Sequence, residues 1–158
     1  MRFILPFLLS IVLSPLSWGA DFQKGLTAAK NGDFATALRE WTPLAEQGNA
    51  SAQFNLGIMY GNKRGVPQDH KTAVKWYTLA AEQGNATAQY NLGVMYDRGW
   101  GVLQDDLYAH MWWNVAASIG DEDASENRDS IAKEMTPADI SKAQQLAREC
   151  VAKNYKGC

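Results

Sequence analysis

Small and apolar residues recur along this chain at helical spacing, in two runs that repeat one another. Ala52, Leu56 and Tyr60 stand at i, i+4 and i+8, and so do Ala88, Leu92 and Tyr96, which draws one apolar stripe along each run. A second stripe follows the first: Ala73, Trp76, Tyr77, Ala80 and Ala81, matched further on by Ala109, Trp112, Ala116 and Ala117. Between the stripes lie Gly65, Val66, Gln68 and Asp69, matched by Gly101, Val102, Gln104 and Asp105. The glycine ends one helix, and the aspartate supplies the acceptor that caps the next. Each run therefore predicts a helix–turn–helix hairpin. Aligned without a gap, residues 50–85 and 86–121 agree at 17 of 36 positions. A fixed period of this length marks stacked units, none of which buries its apolar face alone.

The pattern extends in both directions. Residues 45–49 repeat residues 81–85, and Asp33, Ala37 and Trp41 align with Asp69, Ala73 and Tyr77. A shorter first hairpin is predicted over 22–48, turning at Asn31, Gly32 and Asp33. After Gly120 the register continues only weakly, through Ala124, and 123–135 predicts one more helix. Thr136, Pro137 and Asp139 then supply a cap, a proline at the first helical position and an acid in the first turn. The final helix is expected to run to about residue 154, with Ile140, Ala143, Leu146, Ala147 and Cys150 on one face.

The consensus A-x-A-Q-[FY]-N-L-G-x-M-Y, followed by G-V-x-Q-D, A, W-[YW], A-A and G, resembles the Sel1-like repeat, a relative of the tetratricopeptide repeat. The resemblance implies an all-α fold, a right-handed α-solenoid of hairpins used for protein–protein contact. The expected division is a leader at 1–20, a tetratricopeptide-like or degenerate first hairpin at 21–49, repeats at 50–85 and 86–121, and C-terminal capping helices at 122–158. In such solenoids the first helices of successive hairpins line the concave side. Asn55, Met59, Asn91 and Met95, with Asn62 and Arg98 toward the helix ends, are then the candidate contacts for a polypeptide partner. The alternative is that these asparagines and methionines recur because they stack the repeats. Trp100 stands in a loop where the other copy has Arg64, so the repeat itself does not require an aromatic there. It either meets a partner or folds onto Trp112 or the cap. If it is a contact, Trp100→Ala should weaken partner capture and leave the thermal melt nearly unchanged; a large drop in melting temperature would assign it to the core.

Two departures from the repeat matter. Lys63 stands where the second copy has Gly99; a left-handed backbone there would cost a lysine roughly 1 kcal/mol. Leu107, Met111 and Ile119 replace Lys71, Lys75 and Gln83, so a solvated face has turned apolar. The helices after Asp121 are expected to cover it as a terminal cap; an exposed docking patch is the competing reading.

Some exported proteins of this family act as weak β-lactamases, and they carry a cysteine pair in each repeat. This chain has no cysteine inside its repeats, and Ser130 and Lys133 form an S-x-x-K tetrad without the companion S-D-N and K-T-G elements. The expectation is a non-enzymatic adaptor or regulator of a bacterial cell envelope. A weak β-lactamase-like or peptidoglycan-interacting protein is the alternative.

Composition narrows the setting. A formal net charge of -2 over 158 residues, with no basic cluster, argues against a nucleic-acid partner. Arg2, an apolar stretch at 3–16 broken by Pro6 and Pro15, and small residues before Asp21 predict a secretory leader cut after Gly19 or Ala20. The product is expected to be periplasmic or secreted, monomeric, and without a membrane span. Cys150 and Cys158 form an even pair suited to a disulfide in an oxidising compartment. His70 is expected to face water and His110 to be buried or half-buried. Neither has a partner at metal-ligand spacing, and no cofactor is expected. The acidic run from Asp121 resembles a calcium loop but has Glu126 at the place of the obligatory glycine and Ala132 at that of the bidentate glutamate.

Overall fold

The computed structural model describes residues 20–158, so the expected leader lies outside it except for Ala20. Eight helices follow in order among the described residues: α1 (Phe22–Lys30), α2 (Phe34–Glu46), α3 (Ala50–Gly61), α4 (His70–Ala81), α5 (Ala86–Arg98), α6 (Asp106–Ser118), α7 (Glu122–Ile131) and α8 (Pro137–Ala152). Each begins on an Asp, Asn or Thr whose side chain accepts from the first free backbone N–H groups. Asn49 takes Ala52 N–H, Asn85 takes Ala88 N–H and Asp121 takes Ala124 N–H. Asp69 accepts both the hydroxyl and the N–H of Thr72, which hold its carboxyl below the usual range. Such caps satisfy donors that a helix cannot pair internally.

The helices pack as an α-solenoid in three hairpins, α1/α2, α3/α4 and α5/α6, each leaning on the next through α2 against α3 and α4 against α5. Within each hairpin an aromatic ring packs against a glycine of the partner helix: Trp41 on Gly25, Tyr77 on Gly57 and Trp113 on Gly93. Two of the rings are anchored by their indole N–H, Trp41 to the Phe22 carbonyl and Trp113 to the Tyr90 carbonyl, both at 3.2 Å. The interhelix turns superpose in their bonding. Arg64 N–H donates to the Met59 carbonyl and Trp100 N–H to the Met95 carbonyl, both at 2.9 Å. Lys63 has φ 55° and Gly99 φ 65°, so the lysine does occupy the left-handed position.

The C-terminal helices behave differently from one another. α7 stops at Ile131, short of the expected 135, and occupies the place of a fourth first helix. α8 then packs against α6 and makes no comparable pairing with α7. Met111 is buried beneath Ala143, Ala147 and Cys150, and Leu107 is half-buried against the same cluster, so the cap covers this part of the apolar face. Ile119 is a correction: 43% of it is exposed, because α8 passes it by. Cys150 and Cys158 are disulfide-bonded. The loop they close places the Tyr155 ring against Gly84 and directs Gly157 N–H to the Glu82 carboxylate at 3.1 Å. The chain thus ends at the α4–α5 junction. No described helix is long and apolar enough to cross a membrane.

Candidate functional site

Of the candidate contacts, Met59 and Met95 do not offer surface. They are 2% and 4% exposed and sit in the core between hairpins, so their recurrence reflects stacking. Asn55 and Asn91 are half-buried, one repeat apart, and no described residue hydrogen-bonds to either side-chain amide. The next position in the series is Asn127 on α7, which the sequence reading passed over; its amide donates to the Tyr90 hydroxyl at 3.1 Å. A check of the 36-residue spacing beyond Ala124 would have found it. Asn62 is exposed at the α3 C-cap. Arg98 is exposed and pairs only with its neighbour Asp97, a contact that contributes little in water.

Trp100 does not reach Trp112 or the cap. It is 46% exposed and stacks on His70 with ring centroids 5.1 Å apart and planes 5° off parallel. His70 is therefore not the solvated residue expected at a helix start: it is half-buried, and its Nδ1 is shut off from water without a protein partner. Arg64, the counterpart of Trp100, lies correspondingly beside Phe34, the counterpart of His70. Here a cleft of about 220 Å³ opens between the first hairpin and α3, lined by Leu26, Lys30, Phe34, Asn55, Ile58 and Arg64 among others. One of the two asparagines without a partner among the described residues thus opens onto a recess with apolar walls.

The comparisons with known proteins agree with this architecture. The Sel1 repeat model matches residues 50–85 and 86–121. A solved Sel1 repeat protein from Oxalobacter formigenes is 36% identical over 69% of this chain and 85% of that one, with a TM-score of 0.63. The chain belongs to the Sel1 repeat family. A second solved structure, a protective antigen present in uropathogenic Escherichia coli strains and displaying an SLR fold, is 30% identical over 83% of this chain, with a TM-score of 0.79. The Sel1 protein described here spans only 29% of that antigen's length. No match was found among the curated proteins. Sel1 repeats serve in general as protein–protein interaction modules.

Two buried polar groups of this Sel1 protein distinguish its last repeat from the one before. Gln53 donates to the Ala45 carbonyl at 3.0 Å and Gln89 to the Ala81 carbonyl at 3.1 Å, each stitching a first helix to the preceding hairpin. Gln53 Oε1 in turn accepts from Gln83 at 2.8 Å. The residue in Gln83's place one repeat later is Ile119, and Gln89 Oε1 is left buried without a protein partner. Ile119→Gln should restore the missing bond and stabilise the protein by about 1 kcal/mol. A urea midpoint that fails to rise would show that Gln89 is already satisfied by solvent.

His110 is 2% exposed, and its Nδ1 has no partner. Burial, assisted by the nearby Arg128 guanidinium and opposed by Asp129, holds its pKa below the usual 6.5. The unfolded chain takes up this proton near its ordinary pKa and the folded chain only at lower pH. Stability should therefore fall as pH drops from about 6.5 toward the folded pKa, and the His110 contribution should level off below that. In His110→Val, which installs the residue found at Val74, the loss measured by urea denaturation between pH 7.5 and pH 5.5 should shrink. Equal losses in both proteins would refute the assignment.

Among the described residues no three His, Cys, Asp or Glu side chains group to hold a metal ion.

Proposed function

We propose that this Sel1 repeat protein is a non-catalytic adaptor or regulator that receives a polypeptide on the concave face formed by α1, α3 and α5, in an oxidising compartment outside the cytoplasm. The observation that carries the reading is the pair Asn55 and Asn91. Two amides, each with donor and acceptor unused by the described residues, stand at one repeat position, and an extended backbone offers complementary groups at regular intervals. Neither amide is shut off from water, so a bound peptide exchanges solvent hydrogen bonds for its own backbone groups there. Arg98 and Trp100 extend the same surface toward the interhelix turn, and Trp100 supplies the kind of aromatic area that dominates contact energetics. The disulfide supports the compartment, because such bonds persist where thiols are not kept reduced.

The test is a photo-crosslinking residue placed in living cells at Asn55 or Asn91, with Lys142 on the exposed side of α8 as the control position. A polypeptide adduct specific to the asparagine positions is expected. Adducts absent from both, or equal at all three, would remove the concave face as the contact surface.

A further inference from the structure

Resting on that reading, we infer that the cleft between the first hairpin and α3 is an acidic-peptide subsite, which seats one large apolar side chain and holds flanking Asp or Glu side chains between Lys30 and Arg64. Its volume of about 220 Å³ decides the size of the guest. Small-molecule sites begin at roughly 300 Å³, so this recess suits a single side chain presented by an extended chain. Leu26, Phe34 and Ile58 supply its apolar walls, and Asn55 brings a free amide to the same place.

Charge decides the chemistry. Among the lining residues Lys30 and Arg64 are charged, both are cationic, and both are exposed. No described carboxylate lies within ion-pair distance of either, since the salt bridges engage Lys24, Arg39, Arg98 and Arg128 instead. Residues 1–19 contain no Asp or Glu that could pair with them. Lys63 adds a third cation on the same turn, held there by a backbone conformation unusual for lysine. Two unpaired cations at the mouth of an apolar recess attract a partner in which carboxylates flank a hydrophobic residue. They reject one that carries Lys or Arg at those places.

The experiment is fluorescence anisotropy of the purified protein with three dye-labelled peptides, each acetylated and amidated so that no terminal charge remains. The probes are Gly-Glu-Asp-Phe-Asp-Glu-Gly, its amide counterpart Gly-Gln-Asn-Phe-Asn-Gln-Gly, and the acidic peptide with Gly in place of Phe. The acidic Phe peptide should bind about tenfold tighter than the amide peptide, the product of two partly exposed charge pairs, and about tenfold tighter than the Gly peptide, through burial of the ring; its binding should weaken with added salt. The doubly reversed variant Lys30→Glu/Arg64→Glu should lose that preference while keeping its thermal melt, because both side chains are exposed. Equal binding of the acidic and amide peptides, or an unchanged preference in the variant, would overturn the assignment. A fourth probe, the amide peptide left with a free C-terminal carboxylate, would also overturn it by binding tighter than the acidic peptide, which would move the carboxylate from side chain to chain end. If the peptides fail here while Asn91 still captures a polypeptide in cells, the subsite is wrong and the concave-face reading stands.

Discussion

Gly93→Ala should destabilise the protein by about 2–3 kcal/mol, although alanine is the better helix former by about 1 kcal/mol. Gly93 lies inside α5 with helical geometry, so propensity alone predicts a gain. Packing predicts the opposite. A Cβ at this position would stand 2.5 Å from Cδ1 and 2.8 Å from Cε2 of Trp113, closer than atoms in a packed interior approach. The ring is not free to retreat. Its N–H is bonded to the Tyr90 carbonyl on the same helix, and it is only 4% exposed. Either the indole gives up that bond or α5 and α6 move apart. Urea denaturation followed by circular dichroism measures the difference. An equal or higher midpoint would mean that the hairpin absorbs the methyl and that the glycine is not a packing requirement. Gly57→Ala should act in the same direction, since its Cβ would meet Tyr77 Cε1 at 2.5 Å.

Removing the disulfide as Cys150→Ala/Cys158→Ala should also cost about 2–3 kcal/mol, from the freedom returned to a short loop in the unfolded chain. The separation of the two cysteines is 8 residues. The effect should have a location as well as a size. The bonded tail holds Tyr155 against Gly84 and Gly157 against Glu82, so hydrogen exchange should accelerate at the end of α8 and around the α4–α5 turn. Exchange in α1 and α2 should be unaffected. A variant with unchanged stability, or one whose exchange rises evenly along the chain, would show that the tail is not clamped by this bond.

The helices were legible because their signals are local. Asp69 and Asp105 each announce a helix start through a side chain that bonds two or three residues ahead, and the apolar stripes set the faces; the same role of Asn49, Asn85 and Asp121 emerges only in the structure. The pairing of Cys150 with Cys158 was equally plain, there being no other cysteine. What escaped the sequence reading depends on neighbours. A repeat duplicates its packing needs and its surface together, so recurrence alone could not separate Met59 and Met95, which are core, from Asn55 and Asn91, which open outward. Gly57 and Gly93 read as shared residues without a role, because the ring they admit comes from another helix twenty residues on. Ile119 was grouped with Leu107 and Met111 by its apolar character. Only the course of α8 shows that it escapes cover.

That course limits how the molecule could be lengthened. Met111 stays dry because α8 lies over it, and the tail ends against the hairpin before the last. A copy of residues 50–85 spliced in after Asp121 would carry this lid one storey away and leave Met111 wet. A unit spliced in ahead of Ala86 would carry its own Glu and Gly to receive the tail and leave the lid undisturbed. The fold therefore accepts an added unit ahead of Ala86 more readily than one after Asp121.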